Sequence, residues 1–253
     1  MVGRDGTVEE MLTVVQKRFA RFGTNFQKDK EVNLVPFIGC LPGSGKSKLN
    51  QDMVSSMRRL CSVDSPLYEP LKQCATVLIT YVNGMAWDAK DEPEFGVAVR
   101  MLYTYFKIHN CLNHTYKDRF GYFRTAPSKF TDFVAVMKHY DLTIDFVCEI
   151  IALDMRNNNP SLKTPFIYLG IDEFQYLKLE GLQVLVRAIG SILSSSKSYF
   201  LIPMFTGTEY STLDKAFVGS GYSSKALPFL LPINDNVYEL MDKLSEDHYN
   251  LPI

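Results

Sequence analysis

Residues 32–48 read VNLVPFIGCLPGSGKSK and carry the strongest indication of the fold. The apolar run 32–38 predicts a β-strand, the Gly- and Pro-rich run 39–45 predicts a tight loop, and residues 46–60 have the apolar spacing of a helix. A strand that leads through a glycine-rich loop into a helix is the setting in which backbone N–H groups wrap a phosphate. The stretch therefore predicts an α/β fold with a phosphate-binding loop.

The rest of the chain continues the alternation of strand and helix. Further strands are predicted at residues 75–82, 164–171, 199–205 and 226–233, and helices at 95–108, around 130–155, at 182–194 and at 235–244. Residues 75–82 (ATVLITYV) are too continuously apolar for a strand with a solvated face. The pattern predicts a three-layer α/β fold with a mainly parallel sheet and helices on both faces.

Two local features complete this outline. Thr7 followed by Glu10 has the form of a capping box and predicts a helix over residues 8–21. Asn, Gly, Tyr and basic residues cluster at residues 109–128, which we expect to be irregular.

The composition is that of an ordinary globular protein. Of 253 residues, 46% are apolar and 22% are charged, which excludes a disordered or collagen-like chain. Lys and Arg number 27 against 28 Asp and Glu, and this net charge of −1 excludes a wholesale basic attraction to nucleic acid or to an anionic membrane. The five cysteines form no CxxC pair, which indicates reduced thiols, and we find neither a signal segment nor an apolar run long enough for a membrane helix. We expect an intracellular protein, cytoplasmic or nuclear, with secretion as an effector left open.

The glycine-rich loop has the residues that hold nucleotide phosphates. Lys46 would reach the β- and γ-phosphates, and Ser47 would ligate Mg²⁺. The position of the usual first glycine is occupied by Cys40, with Gly39 one residue earlier, which could distort the turn. The alternative is a glycine-rich turn that binds nothing. The candidate nucleotide-contacting residues of the loop are Pro42, Gly43, Ser44, Gly45, Lys46, Ser47 and Lys48.

A second candidate site lies in residues 166–173, which read FIYLGIDE. This apolar strand ends in two carboxylates, and parallel sheets bind their ligands at the carboxyl ends of their strands. Asp172 would hold Mg²⁺, and Glu173 would accept a proton from the attacking water or orient it. An ordinary turn or helix start is the alternative. ATP is the favoured nucleotide, because Glu173 directly after Asp172 favours an ATPase with its own catalytic base over a GTPase or a small-molecule kinase, and because an Asn-Lys-x-Asp guanine motif is absent. The Leu-Ser-Gly-Gly-Gln signature of transporter ATPases is absent as well.

A third candidate follows the predicted strand 199–205, which leads into Thr206-Gly207-Thr208. A hydroxyl at the end of the strand beside the phosphate loop could sense the γ-phosphate or align the water. Thr206 is the first choice and Thr208 the second. A Thr-Gly turn that only leaves the strand is the alternative.

These segments together resemble a known group. Residues 2–5 (VGRD), CLPGSGKS, IYLGIDEF and FLIPMFTGT occur in the order seen in P-loop ATPases of the AAA+/STAND division, over about residues 1–245. More narrowly, the chain resembles the ATPase domains of Crinkler-type effectors and of retrotransposon hot-spot proteins. The resemblance implies the sheet order 5-1-4-3-2 and a contact of Gly3 and Arg4 with adenine. It also implies an ATPase core at residues 1–233 and the start of a truncated C-terminal lid at residues 234–253.

One departure from this group concerns arginine. Residues 191–253 contain no arginine, whereas ring-forming AAA+ proteins supply an arginine finger and a second sensor arginine from that region. Lysine cannot replace their bidentate contact, so a self-activating ring is not expected. Arg187 is the nearest substitute, unless it is simply a solvated helix residue. A protein partner could supply the missing arginine or lid.

Two features have an ordinary structural explanation as the favoured one, and a third stays open. His109, Cys111 and His114 lack a second pair of metal ligands. The basic and aromatic residues between 103 and 133 could stack single-stranded nucleic acid, but a packed helix with a basic edge is the commoner arrangement. The role of Trp87 stays undecided.

Three functions remain open from the sequence. A slow Mg²⁺-dependent ATPase is favoured by the Asp172-Glu173 pair, and a nucleotide-dependent switch with little turnover is favoured by the missing arginines. A small-molecule kinase would need an arginine-rich lid, which the C-terminal region lacks.

Overall fold

The computed structural model describes residues 4–24, 33–82, 92–108, 115–117, 123–125, 129–195 and 197–229. Helices and strands alternate along much of the described chain. In chain order the elements are α1 Asp5–Phe19, β1 Val35–Gly39, α2 Lys46–Leu60, α3 Tyr68–Lys72, β2 Ala75–Thr80, α4 Pro93–Ile108, β3 Thr115–Lys117, β4 Phe123–Thr125, α5 Phe130–Met137, α6 Ile144–Asn158, β5 Phe166–Asp172, a 3₁₀ helix Phe174–Tyr176, α7 Leu179–Ser194, β6 Phe200–Gly207, α8 Tyr210–Ser220 and β7 Ser224–Ala226.

Five of these strands form one parallel sheet with the order β2-β5-β6-β1-β7. Counted in chain order, these five strands lie in the order 2-3-4-1-5, which is 5-1-4-3-2 from the other edge. The predicted fold class and sheet order are therefore confirmed. β1 and β5, which carry the two candidate motifs, are separated by β6, and each pairs with it.

Helices cover both faces of the sheet, and each face has its own apolar core. Side chains alternate along a strand, so Phe166 and Tyr168 of β5 pack with α1, α2 and α3, while Ile167, Leu169 and Ile171 pack with α4, α6 and α7. The two cores together make a three-layer molecule. The even-numbered residues of β5 and β6 therefore face α2. This alternation determines which side chains meet at the site.

The structure corrects four local expectations. α1 begins at Asp5 and no side chain caps it, because the Thr7 hydroxyl instead donates to the carbonyl oxygen of Pro228. The helical region predicted around 130–155 is split into α5 and α6, and the Thr143 hydroxyl caps α6 by accepting from the Phe146 N–H at 3.1 Å. Part of the stretch 109–128 forms the antiparallel pair β3–β4, and the last described strand ends at Ala226, where the predicted one began.

Other predictions concern residues that the structure does not describe. Trp87, the trio His109, Cys111 and His114, and the proposed lid at 234–253 lie outside the described residues. The described aromatic residues between 103 and 133 pack on one another, with the Tyr103 ring 5.3 Å from that of Phe130 and the Lys107 ammonium 5.6 Å from the Tyr103 ring centre. Within the described ranges, no helix has both the length and the apolar character that crossing a bilayer requires.

Candidate nucleotide site

The site lies at the carboxyl ends of β1, β5 and β6, where α2 begins. Asp172 ends β5, and its partner in the register of β5 and β6 is Thr206. Both have even numbers, so both side chains point to the α2 side of the sheet, as Tyr168 and Met204 do. Ser47, in the first turn of α2, therefore meets residues that are more than a hundred positions away in the sequence.

Two glycines of the loop between β1 and α2 adopt a backbone conformation that is strained for other residues. Gly43 and Gly45 have φ values of 76° and 83°, in the left-handed region. Cys40 needs no such freedom, because its φ is not positive: among the described residues, Glu173 is the only non-glycine residue with a positive φ. Cys40 therefore occupies the position of the usual first glycine without a left-handed backbone.

The Lys46 ammonium group is held inside the loop. It is only 4% exposed, and its Nζ donates to the carbonyl oxygens of Cys40 and Leu41 at 2.8 Å each. No side chain caps the N-terminus of α2. A cation and the N–H groups of an uncapped first turn thus lie together, which is an arrangement suited to an anion.

The two motifs meet directly through a hydrogen bond. The Ser47 hydroxyl donates to Oδ2 of Asp172 at 2.5 Å, across 125 positions in the sequence. A hydroxyl and a carboxylate are hard oxygen donors that fit Mg²⁺, which commonly takes one or two carboxylates and completes its shell with phosphate oxygens and water. In the described part of the chain no three His, Cys, Asp or Glu residues cluster as metal ligands.

The other oxygen of Asp172 is held by a buried chain of hydrogen bonds. Thr206 donates its hydroxyl to Oδ1 of Asp172 at 2.6 Å, and Asn50 Nδ2 lies 3.2 Å from the Thr206 oxygen. The Tyr168 hydroxyl donates to Oδ1 of Asn50 at 2.6 Å. We call these three residues, Tyr168, Asn50 and Thr206, the buried relay. All three are buried, and sequence analysis identified only Thr206.

The hydroxyl protons of Thr206 and Tyr168 determine which group donates in each hydrogen bond of the buried relay. Thr206 has one hydroxyl proton, and Asp172 at 2.6 Å is a nearer acceptor than the Ile171 carbonyl at 3.4 Å. Burial, and then the charges of Cys74 and Asp172, raise the pKa of the Tyr168 hydroxyl well above its ordinary value, so Tyr168 keeps its proton and donates it. Each donor therefore points towards Asp172.

Glu173 lies just beyond the end of β5 in a strained conformation. Its φ of 59° and ψ of 41° are left-handed, and its N–H donates to the Thr206 carbonyl at 2.8 Å. Its carboxylate accepts a hydrogen bond from Nε2 of Gln175. Oε1 of Gln175 in turn accepts from the Thr208 N–H at 3.3 Å, so this one amide joins the ends of β5 and β6. The sequence offered no signal for Gln175.

The remaining predicted residues occupy different surroundings. Pro42 and Lys48 are exposed, and Lys48 pairs with Asp52 at 3.1 Å. The Ser44 hydroxyl is buried without a hydrogen-bond partner among the described residues. Gly3 lies outside the described residues. Arg4 is buried, and its guanidinium donates to carbonyl oxygens of the loop.

A cleft of about 290 Å³ opens beside Asp172 and Glu173. Thr80 at the end of β2 and Val82 just after it line the cleft on one side, and α2 lines it through Ser47, Asn50 and Gln51. Arg187 does not line it, because its Nη2 donates to the Gly219 carbonyl at 2.8 Å, at the end of α8.

No protein-family model matches the chain, and no curated protein matches it. Among solved structures, the chain is similar to C. elegans PCH-2 at 14% identity and a TM-score of 0.41, over 87% of this chain and 41% of PCH-2. It is also similar to Drosophila ORC bound to AT-rich DNA and Cdc6, at 8% identity and a TM-score of 0.34, over 97% of this chain and 67% of that one. The similarity to Drosophila ORC bound to GC-rich DNA and Cdc6 has 10% identity and a TM-score of 0.34, over 98% of this chain and 76% of that one. TM-scores this low establish neither family nor function, so the architecture rests on the strand order itself.

Proposed function

We propose that this chain binds ATP with Mg²⁺ and hydrolyses it, as a P-loop ATPase domain of the AAA+/STAND type. One observation carries the proposal: the Ser47 hydroxyl is hydrogen-bonded to Asp172 beside a loop whose Lys46 ammonium is already directed inward. A glycine-rich turn or a strand-end carboxylate taken alone has an ordinary structural explanation. Their proximity is what a Mg²⁺ site shared by the hydroxyl and the carboxylate requires.

Each residue has a defined task in this proposal. The loop N–H groups and Lys46 would hold the β- and γ-phosphates, and Ser47 and Asp172 would hold Mg²⁺. The bound metal would neutralise charge that develops on the phosphate oxygens. The relay residue Thr206 would act through Asp172, because its buried hydroxyl is committed to that carboxylate.

Glu173 would act on the attacking water. As the water oxygen forms its bond to the γ-phosphorus, the bond from phosphorus to the β,γ-bridging oxygen breaks, and the water proton passes to the Glu173 carboxylate or to bulk water. ADP then leaves with the bridging oxygen. The strained backbone of Glu173 supports such a role, since residues in uncommon conformations cluster at functional sites.

A nucleotide-dependent switch with little turnover is the second candidate. Its supporting observation is the hydrogen bond from Gln175 to Glu173, which occupies the carboxylate that would otherwise act on water. Arg187, the arginine nearest in sequence to the arginine-free region 191–253, is hydrogen-bonded to the Gly219 carbonyl near the end of α8. A protein partner that brings an arginine would then be needed for turnover. A specific relation to Crinkler-type effectors, and any nucleic-acid partner, remain predictions from the sequence.

The test is ATP hydrolysis with Mg²⁺, measured on the wild type and on Glu173→Gln, with ATP affinity measured on both. We expect turnover in the wild type and a loss of at least about 100-fold in the variant, because general-base catalysis contributes about that much. ATP affinity should change little. Glu180→Gln is the matched control, since Glu180 is an exposed glutamate of α7.

The outcomes separate the two candidates. Binding without turnover in either protein would support the switch and contradict intrinsic hydrolysis. Failure of the wild type to bind ATP would contradict both. Equal turnover in the wild type and in Glu173→Gln would leave an ATPase whose water is activated by another group.

A further inference from the structure

Arg4 contacts the phosphate loop from the side of α1. The residue directly precedes α1, and its side chain is only 7% exposed. Nη2 donates to the Ser44 carbonyl at 2.7 Å and Nη1 donates to the Gly45 carbonyl at 2.9 Å. One planar guanidinium group thus bridges two consecutive carbonyl groups of the loop.

These carbonyls belong to the peptide groups that join Ser44 to Gly45 and Gly45 to Lys46. A peptide group is planar and trans, so a fixed C=O also fixes the N–H on its opposite side. The N–H groups concerned are those of Gly45 and Lys46, which belong to the part of a phosphate loop that offers its N–H groups to the ligand. The Arg4 contacts therefore set the direction of two phosphate-binding donors.

The surroundings are built around this contact. A Cβ atom at Gly45 would lie 2.6 Å from Nη2 of Arg4, so the close approach needs glycine in addition to the positive φ. The Gly45 carbonyl also accepts the Leu49 N–H at 3.0 Å, and this bond opens α2. The ring of Phe229 lies 4.9 Å from the guanidinium carbon of Arg4 and supports its plane.

We propose that Arg4 is a positioning residue that holds the phosphate loop in its binding conformation and strengthens binding of a triphosphate whatever base is attached. This differs from the adenine contact that the family resemblance implies for Arg4, and it rests on the proposed nucleotide-binding function. A lysine at this position would keep the charge, but it could not bridge both carbonyls in one plane.

The test compares the wild type, Arg4→Ala and Arg4→Lys with Mg²⁺ and three probes: ATP, GTP and inorganic tripolyphosphate. We expect Arg4→Ala to lower the affinity for all three probes by the same factor, about tenfold, which corresponds to the loss of one charge-assisted hydrogen bond. The affinities of Arg4→Lys should lie between those of the wild type and of Arg4→Ala. The ratio of ATP to GTP affinity should not change. A changed ratio with unchanged tripolyphosphate affinity would overturn the proposal and assign Arg4 to base recognition.

Arg59→Ala is the matched control. Arg59 pairs with Asp5 at 2.6 Å, so this variant removes an arginine that contacts the same end of α1 without touching the loop. We expect the three affinities of Arg59→Ala to stay at wild-type values. An equal loss in Arg59→Ala and Arg4→Ala would show that any loosening of α1 weakens binding, which would contradict a specific role for Arg4.

A second measurement needs no ligand. The Leu49 amide donates to the same Gly45 carbonyl that Arg4 holds, so its hydrogen exchange should be at least about tenfold faster in Arg4→Ala and in Arg4→Lys. The amides of β5 should keep wild-type exchange rates. Unchanged exchange at Leu49, or faster exchange throughout the sheet, would overturn the proposal. If the wild type binds none of the three probes, the proposed function fails, and this exchange still decides whether Arg4 holds the loop.

Discussion

At the scale of single residues, the site depends on one buried hydroxyl. Thr206 donates to Asp172 and accepts from Asn50, so it joins the Asp172 carboxylate to the rest of the buried relay. Buried polar groups that lose a partner are costly, because no water replaces the missing hydrogen bond. This makes Thr206 a better probe of the site than any exposed loop residue.

Thr206→Val tests this dependence with nearly the same side-chain shape. We expect the free energy of unfolding to fall by about 1–3 kcal/mol, because an amide donor and a carboxylate oxygen each lose a partner. The Mg²⁺ concentration needed for half-maximal nucleotide binding should rise, since Oδ1 of Asp172 loses its hydrogen bond and only Oδ2 is still held, by Ser47. Urea denaturation and a Mg²⁺ titration of nucleotide binding measure the two effects.

Thr206→Ser is the control for this prediction, because it keeps the hydroxyl and removes only a methyl group. It should retain most of the stability that Thr206→Val loses. Equal losses in the two variants would mean that the methyl packing matters and that the relay does not.

At the scale of elements, the site depends on how closely α2 approaches β5. Gly170 lies between Tyr168 and Asp172 on the face of β5 that meets α2, and the Asn50 amide fills the space that a side chain would take. A Cβ at Gly170 would lie well inside contact distance of Oδ1 of Asn50 and 2.7 Å from Cδ2 of Leu78. The strand must therefore carry a glycine there for the relay to form.

Gly170→Ala should consequently lower the free energy of unfolding by about 1–3 kcal/mol, the usual cost of an overpacked core. Combining it with Asn50→Ala should recover part of that loss, because the clashing amide is then absent; a double-mutant cycle measures the coupling. Additive losses would contradict the contact.

Gly6→Ala is the matched control for Gly170→Ala. Gly6 lies in α1, and a Cβ added there would meet nothing within 4 Å, so alanine should raise stability by about 0.5–1 kcal/mol through helix propensity.

At the scale of the whole molecule, burial determines how stability depends on pH. Burial raises the pKa of Cys74 from 9.0 to about 12 and raises the pKa values of four other buried acids, Tyr81, Cys148, Tyr168 and Tyr199. The folded protein therefore keeps protons that the unfolded chain releases above pH 9. Burial acts oppositely on Arg18, whose pKa it lowers from 12.5 to about 9.

We accordingly expect the free energy of unfolding to fall as the pH rises from 9 to 11. Unfolding then releases protons from the cysteines first and the tyrosines next, against the one proton that Arg18 takes up. Each group that is not offset contributes about 1.4 kcal/mol per pH unit. Urea denaturation at intervals of one pH unit measures the slope.

Tyr81→Phe should make this fall shallower, because Tyr81 is one of the groups that keep their proton on folding. A stability that is flat, or that rises, between pH 9 and 11 would contradict the account.

Much of the fold was predictable because its signals are local. The strand predicted at 75–82 and observed at 75–80, the glycine-rich loop before α2 and the acidic end of β5 each follow from residues adjacent in the chain. The strand order was implied by the resemblance to AAA+/STAND ATPases and was confirmed. The capping box failed for the opposite reason, since the partner of Thr7 is Pro228, from a distant part of the chain.

The alternation of strand and helix and the positions of the glycine-rich loop and of the two carboxylates follow from the sequence alone, and with them the kind of chemistry to expect. Three findings came only from the folded molecule: Thr206 faces Asp172, Asn50 and Tyr168 support it, and Arg4 holds the Ser44 and Gly45 carbonyls. The reason is physical. Propensity and periodicity act over a few neighbouring residues, whereas these contacts depend on which strands pair, in which register, and how closely one helix packs on them.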